Sequence, residues 1–206
     1  GGTGASDAAG ARTNLSAAKS GANSDITGLT GITGGVGTAD FVDFDIVNAT
    51  SGAAGRMRWD PTNGTAQIGL VGGNVSLQVG QEHVAYVRNA EATTLNEGEA
   101  VYLFGVQGDK ATVKRASNTA EATSSKTLGI VTEPIAANQL GFITLLGVVN
   151  NLNTSAFNAG DFVYLGATAG TLTNSPPNPP NHVVLIGIVE KASVGGGSIL
   201  VNVKNG

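Results

Sequence analysis

Three carboxylates are spaced so that they could do acid–base chemistry: Glu97, Glu99 and Asp161. Paired carboxylates cleave glycosidic bonds when one is held protonated and the other charged. Glu97 and Glu99 belong to Asn96-Glu97-Gly98-Glu99-Ala100-Val101-Tyr102-Leu103. Asp161 belongs to Asn158-Ala159-Gly160-Asp161-Phe162-Val163-Tyr164-Leu165, at an offset of 62 (96 to 158). The shared pattern, Asn-x-Gly-acid-x-Val-Tyr-Leu, describes a turn that hands the chain into a strand. Asn and Gly tolerate left-handed backbone angles, and Val-Tyr-Leu suits a half-buried pleated surface. An acid beside glycine is ordinary turn chemistry, and a position that occurs twice is a poor place for a single active site. The acids are therefore read as turn residues, and no catalytic residue is assigned.

The other candidates are weaker. His83 and His182 are the only histidines and stand far apart in the chain; there is no cysteine. Thiolate metal sites and disulfides are excluded, and neither a metal nor a cofactor is assigned. Asp109, Glu121 and Glu133 fall in no recognisable spacing. Gly31-x-x-Gly34-Gly35 and Gly69-x-x-Gly72-Gly73 lack the Lys-Ser or Lys-Thr and the helix that a phosphate loop requires. Trp59, the only tryptophan, could stack on a sugar; a lone Trp in an alternating strand more simply anchors a core or an interface. Triplets such as Asn48-Ala49-Thr50 and Asn63-Gly64-Thr65 follow from composition.

Composition points to structure rather than chemistry. The 206 residues are 41% hydrophobic but only 5% aromatic and 13% charged, and 31 are glycine. That glycine content is about twice the ordinary share. A net charge of −4 with no basic stripe gives no electrostatic case for nucleic acid. No apolar run approaches the ~20 residues of a membrane helix, so no membrane insertion is expected. The opening Gly1-Gly2-Thr3 reads as a piece of something longer.

The elements that must position these residues fall into three stretches. In the first, 1–38, Ser6 can cap a short helix over Ala8–Leu15, too short to be stable alone. Ile26-Thr27-Gly28-Leu29-Thr30-Gly31-Ile32-Thr33-Gly34 follows. It reads either as a glycine-rich linker or as a segment whose Ile26, Leu29 and Ile32 pack with two other chains about a common axis. Residues 39–82 suggest a meander of four short strands. It starts at Phe41–Val47 and turns at Asp60–Gly64 on an Asn-Gly signal. Arg56, Arg58 and Asp60 should share one face, and Ala66, Ile68 and Leu70 should point together. So small a meander cannot bury both faces alone.

Residues 83–206 form a duplicated β domain, with copies at about 84–146 and 147–203. Beyond the two turns, Leu128-Gly129-Ile130-Val131 matches Ile186-Gly187-Ile188-Val189, and Gly141–Leu145 matches Gly197–Val201. Val87-Arg88-Asn89 aligns with Val149-Asn150-Asn151 at the offset of 62. Strands are expected near 84–89, 99–105, 111–115, 127–132, 141–149, 161–166, 183–190 and 197–203. The proline loop Ser175–Asn181 and the run Ala116–Ser125 should stay outside the sheet. The fold class is therefore mostly β: a short N-terminal helix and Gly-rich segment, a short β-meander, then a duplicated sandwich- or barrel-like domain. Gly98 and Gly160, followed by Tyr102 and Tyr164, should mark where each repeat begins.

Gly1–Leu15 and Ser20–Ile26 closely resemble segments of tail-fibre proteins of tailed bacteriophages. Gly64–Leu70 and Ser76–Glu82 resemble fibre-shaft sequence, and the repeated turn–strand units resemble β domains of the same proteins. The resemblance implies a non-enzymatic virion protein that forms a homotrimer. Its partners would be other virion proteins of the tail, baseplate or capsid, with a host-surface glycan as a further candidate. A capsid head-fibre or cement protein is the alternative, and a carbohydrate-binding adhesin module is the alternative of another class.

Overall fold

The computed structural model describes Gly4, Ser6, Asp7, Ala9, Gly10, residues 42–44, Ile46 and residues 53–205. The chain divides into two compact units, Gly1–Asp43 and Phe44–Gly206. In the first unit the expected helix lies mostly outside the described residues. Ala9 and Gly10 are helical, and the Gly10 N–H donates to Asp7 Oδ1 at 2.7 Å. Ile26, Leu29 and Ile32 lie outside the described residues altogether. The expected strand over Phe41–Val47 falls largely outside them too, and Val42, Asp43, Phe44 and Ile46 carry no strand.

The second unit is mostly β. Strands β1 (Met57–Asp60), β2 (Thr65–Gly69) and β3 (Ser76–Gln78) form a three-stranded antiparallel meander. The first hairpin turns where Asn63-Gly64 predicts it. Gly64 takes φ +65°, Asp60 pairs with Thr65, and the Gly64 N–H donates to Asp60 O at 2.8 Å. The alternation in β1 differs from the expected one. Asp60 is 6% exposed whereas Met57 is 50% exposed. The reason is local: the Asp60 carboxylate turns inward to accept the N–H groups of Thr62 and Asn63 and the Asn63 amide. On β2, Gln67 and Gly69 are buried while Ala66 and Ile68 are half-buried, as is Leu70 just past the strand. Gly69 is required there, since a Cβ would overlap the Ala53 carbonyl.

The remaining strands are β4 (His83–Asn89), β5 (Ala100–Gln107), β6 (Lys110–Arg115), β7 (Thr127–Val131), β8 (Leu140–Leu152), β9 (Phe162–Leu165), β10 (Leu172–Thr173), β11 (Val184–Lys191) and β12 (Gly197–Asn205). They form one sheet in the order β10-β9-β11-β12-β8-β4-β6-β5-β7, and β7 pairs again with β8. That extra pairing closes β8, β4, β6, β5 and β7 into a barrel. All its ladders are antiparallel except β4–β6, which is parallel (Arg88 opposite Thr112). A closed barrel leaves no free edge on those strands.

The second repeat uses the same pairings but stays open. Val101 lies opposite Gly129, and Val163 opposite Gly187; Tyr102 lies opposite Thr127, and Tyr164 opposite Leu185. The β7–β8 pair Ile130–Thr144 likewise matches the β11–β12 pair Ile188–Leu200. Upstream, Val84 lies opposite Thr144 and Val148 opposite Leu200, an offset of 64 (84 to 148) in place of 62. Register shifts at His83/Val84 in one ladder and at Gly197/Ile199 in the other change the offset by one residue at each end of this stretch, and no rung pairs at 62. The parallel rung that closes the first repeat has no counterpart in the second, where β10 is two residues long.

Strand β8 runs 13 residues, longer than any expected strand, because its two halves serve different repeats. Leu140–Leu146 pair with β4, and Leu146–Leu152 pair with β12. Gly147, at φ +115°, sits where the halves meet. One core fills the barrel: Val87, Leu95, Val101, Val113, Val131, Ile135 and Ile143. The other lies beneath the open sheet around Val163, Leu165, Ile186, Val189, Ile199 and Val201, and it also takes in Ala100, Ala116 and Ile130 from outside the barrel. The open sheet therefore packs its inner face onto the barrel's outer wall. The proline loop stays outside the strands, and the run Ala116–Ser125 contains one helical turn, α1 (Glu121–Ser124).

Candidate functional site

The two turns are built alike, down to their hydrogen bonds. The Asn96 N–H donates to Glu99 Oε2 and the Asn158 N–H to Asp161 Oδ2, both at 2.9 Å. The Gly98 N–H donates to Val131 O at 2.9 Å and the Gly160 N–H to Val189 O at 2.7 Å. Each acid thus satisfies the backbone of its own turn. Glu99 also pairs with Arg115 Nε at 2.9 Å. Asp161 is held below the usual carboxylate range by the Asn158 backbone N–H and then by the Asn174 amide. A carboxylate so engaged is poorly placed to take a proton from a substrate.

Glu97 differs, because burial pushes its carboxyl up. It lies between two clefts. The larger, about 320 Å³, opens where the second repeat fails to close, between the end of β8 and β10. Glu97, Glu99, Leu152, Phe157, Leu172 and Ile199 are among its lining residues, and Asp161 is not. In the first repeat the place of Leu172 is taken by Val113, opposite Asn89 in the barrel-closing rung. The smaller cleft, about 180 Å³, separates the meander from the barrel and is lined by Glu82, Glu97, Gln78, Asn74 and Asn150, among others. Glu82 is also raised by burial, against a lowering hydrogen bond from the Gln78 N–H. Neither cleft joins an acid to a His or to a third ligand; no cluster of three metal-ligating side chains occurs among the described residues.

The remaining sequence candidates disperse. His83 is exposed, while His182 Nδ1 lies 3.3 Å from Glu121. Asp109 pairs with Lys110 at 2.9 Å, and Glu133 accepts from the Asn74 amide at 3.3 Å. Trp59 is half-buried opposite Ala66. Ile68 faces Met57 and Leu77 across the meander. Tyr102 and Tyr164 are both half-buried, and Tyr102 packs on the core that contains Val163. Sequence reasoning missed Arg115, 16 positions from Glu99 (99 to 115), since no short motif links them. It also missed the exposed apolar face of β9, β11 and β12. A signal for that face existed: Phe162 and Leu200 stand where the first repeat has Ala100 and Thr144.

Residues 117–204 match the family model described as phage cement protein. That match runs from α1 to β12. Among solved structures, the chain is similar to the head fiber gp8.5 N base of bacteriophage phi29. Identity is 12% and the TM-score 0.39, over 59% of this chain and 95% of that one. No curated protein matches. On the family match, the chain is a structural component of a phage virion.

Proposed function

We propose that this virion protein decorates the phage head as a cement or short head-fibre protein, that it acts as a homotrimer, and that it catalyses no reaction. The observation that carries this reading is the match of residues 117–204 to phage cement proteins. Its chemistry fits a mechanical role. Glu99 and Asp161 accept hydrogen bonds from the backbones of their own turns, and the strands enclose two apolar cores. Three linked chains would engage several sites of a symmetric shell at once. That raises avidity by roughly 10²–10⁴ over a single contact without any new contact. In this reading residues 1–38 attach the protein, 39–82 connect, and 83–206 form the displayed β domain.

The experiment adds purified protein to particles stripped of it. Saturable binding to heads, in multiples of three chains, with a raised rupture temperature, is the expected result. Binding confined to tails would overturn head decoration in favour of a tail fibre. One observation favours a second reading, a module for host-surface glycan: Phe157 lies beside Glu97, Glu99 and Asn153 in the larger cleft. Specific glycan binding abolished by Phe157→Ala would establish it.

A further inference from the structure

The outer face of the second repeat carries a continuous apolar row. Phe162 on β9 lies opposite Ile188 on β11, Ile188 opposite Leu200 on β12, and Leu200 opposite Val148 on β8. Side chains directly opposite across a ladder share one face. Phe162 is 52% exposed and Leu200 38%. A groove of about 100 Å³ between them is also lined by Leu185, Asn202 and Lys204.

The first repeat contains the same row, Ala100–Ile130–Thr144–Val84. There Ala100, Ile130 and Thr144 are at most 1% exposed. What buries Ala100 and Ile130 is the second repeat, whose Val163, Ile186 and Val201 share their core. Hydrogen bonds seal that contact, from the Ala100 N–H to Gly170 O at 3.0 Å and from the Asn205 amide to Thr127 O at 3.1 Å. The chain therefore shows what covers this face: another sheet of the same kind.

In the second repeat the matching positions carry larger apolar side chains, Phe for Ala and Leu for Thr, yet they face solvent. Solvent exposure alone favours the opposite substitution, and a contiguous apolar patch of this kind marks an interaction surface. The only ionisable side chain lining the groove is Lys204. Three copies of this groove can therefore meet about a common axis without bringing carboxylates together. A second chain cannot offer the inner face of its own open sheet, which already lies on its own barrel. It can offer the same exposed row.

We infer that Phe162, Ile188 and Leu200 form the surface through which copies of this chain associate, each presenting this row to its neighbours; Val148, at the end of the row, lines the cleft beside the meander instead. The inference rests on the self-association proposed above and names where it occurs. The test uses the whole chain and two kinds of variant. Phe162→Lys and Leu200→Lys should lower the mass measured by light scattering from an oligomer to a monomer while the circular dichroism spectrum is retained. Val106→Lys, at a position 72% exposed outside the row, should leave the mass unchanged. Because the chain lacks cysteine, Leu200→Cys introduces a single thiol. Mild oxidation or a short bis-maleimide should then link two chains, and Val106→Cys should not.

An oligomeric wild type whose mass survives both Lys substitutions, with no linkage at Leu200→Cys, overturns the surface and leaves self-association standing. A monomeric wild type overturns both and assigns the row to a different partner. Particle binding by that monomer would still uphold the decoration role.

Discussion

Gly98 and Gly160 occupy the same place in the two repeats, at φ +85° and +89°, each donating its N–H to a valine carbonyl of the strand across the ladder. Their surroundings differ. A Cβ on Gly98 would lie 3.2 Å from Leu152 Cδ2, whereas a Cβ on Gly160 would meet nothing within 4 Å. A left-handed backbone costs a non-glycine residue about 1–2 kcal/mol, offset by a few tenths from the stiffer unfolded chain. Both Gly98→Ala and Gly160→Ala should therefore destabilise the fold by about 1 kcal/mol. Gly98→Ala should cost more, since Leu152 must also shift. Urea denaturation of the two variants ranks them, and an equal or reversed order would contradict this packing.

A second matched pair tests the repeat in its core. A Cβ on Gly129 would overlap the Thr144 carbonyl, and one on Gly187 would overlap the Leu200 carbonyl. In both places backbone meets backbone, so the clash cannot be relieved by turning a side chain. Overpacking of this kind costs about 1–3 kcal/mol and occasionally more. Gly129→Ala and Gly187→Ala should each lower the denaturation midpoint by more than Gly160→Ala. A variant at either site as stable as the wild type would show that the strands are not in this register.

Glu82 gives the fold a pH dependence with a definite sign. Burial raises its carboxyl above the ordinary value of 4.5, so the folded chain resists its ionisation. Stability from the protonated form is fully present below 4.5 and falls as pH rises through the higher folded value. Glu82→Gln removes that loss. Relative to wild type, the variant should gain stability at pH 7 over what it shows at pH 4, read from denaturation midpoints in matched buffers. A difference independent of pH, or larger at pH 4, would refute the burial of this carboxyl.

Much of this was legible in the residues because turns and alternation are local properties. Asn63-Gly64 marks a hairpin, and the Asn-x-Gly-acid turns mark where β5 and β9 begin, since only a few residue types take left-handed angles without cost. Strand ends fell within a few residues of expectation for most strands. Leu172–Thr173 was too short to leave a pattern, and α1 is a single turn inside a polar loop. Closure of the barrel was not legible, because it depends on a parallel contact between β4 and β6 that no local signal encodes. Burial of Asp60 ran against its charge because its hydrogen bonds lie within four residues. The acids looked chemical until their partners were visible: Asn96 and Arg115 for Glu99, Asn158 and Asn174 for Asp161.

Electron microscopy of particles from the phage that encodes this chain, carrying a gold-binding tag on it, tests head decoration directly. Head decoration predicts label spread over the head in a symmetric, repeating arrangement, and heads left unlabelled when the chain is deleted. Label confined to the tail, or absent from purified particles, would contradict it.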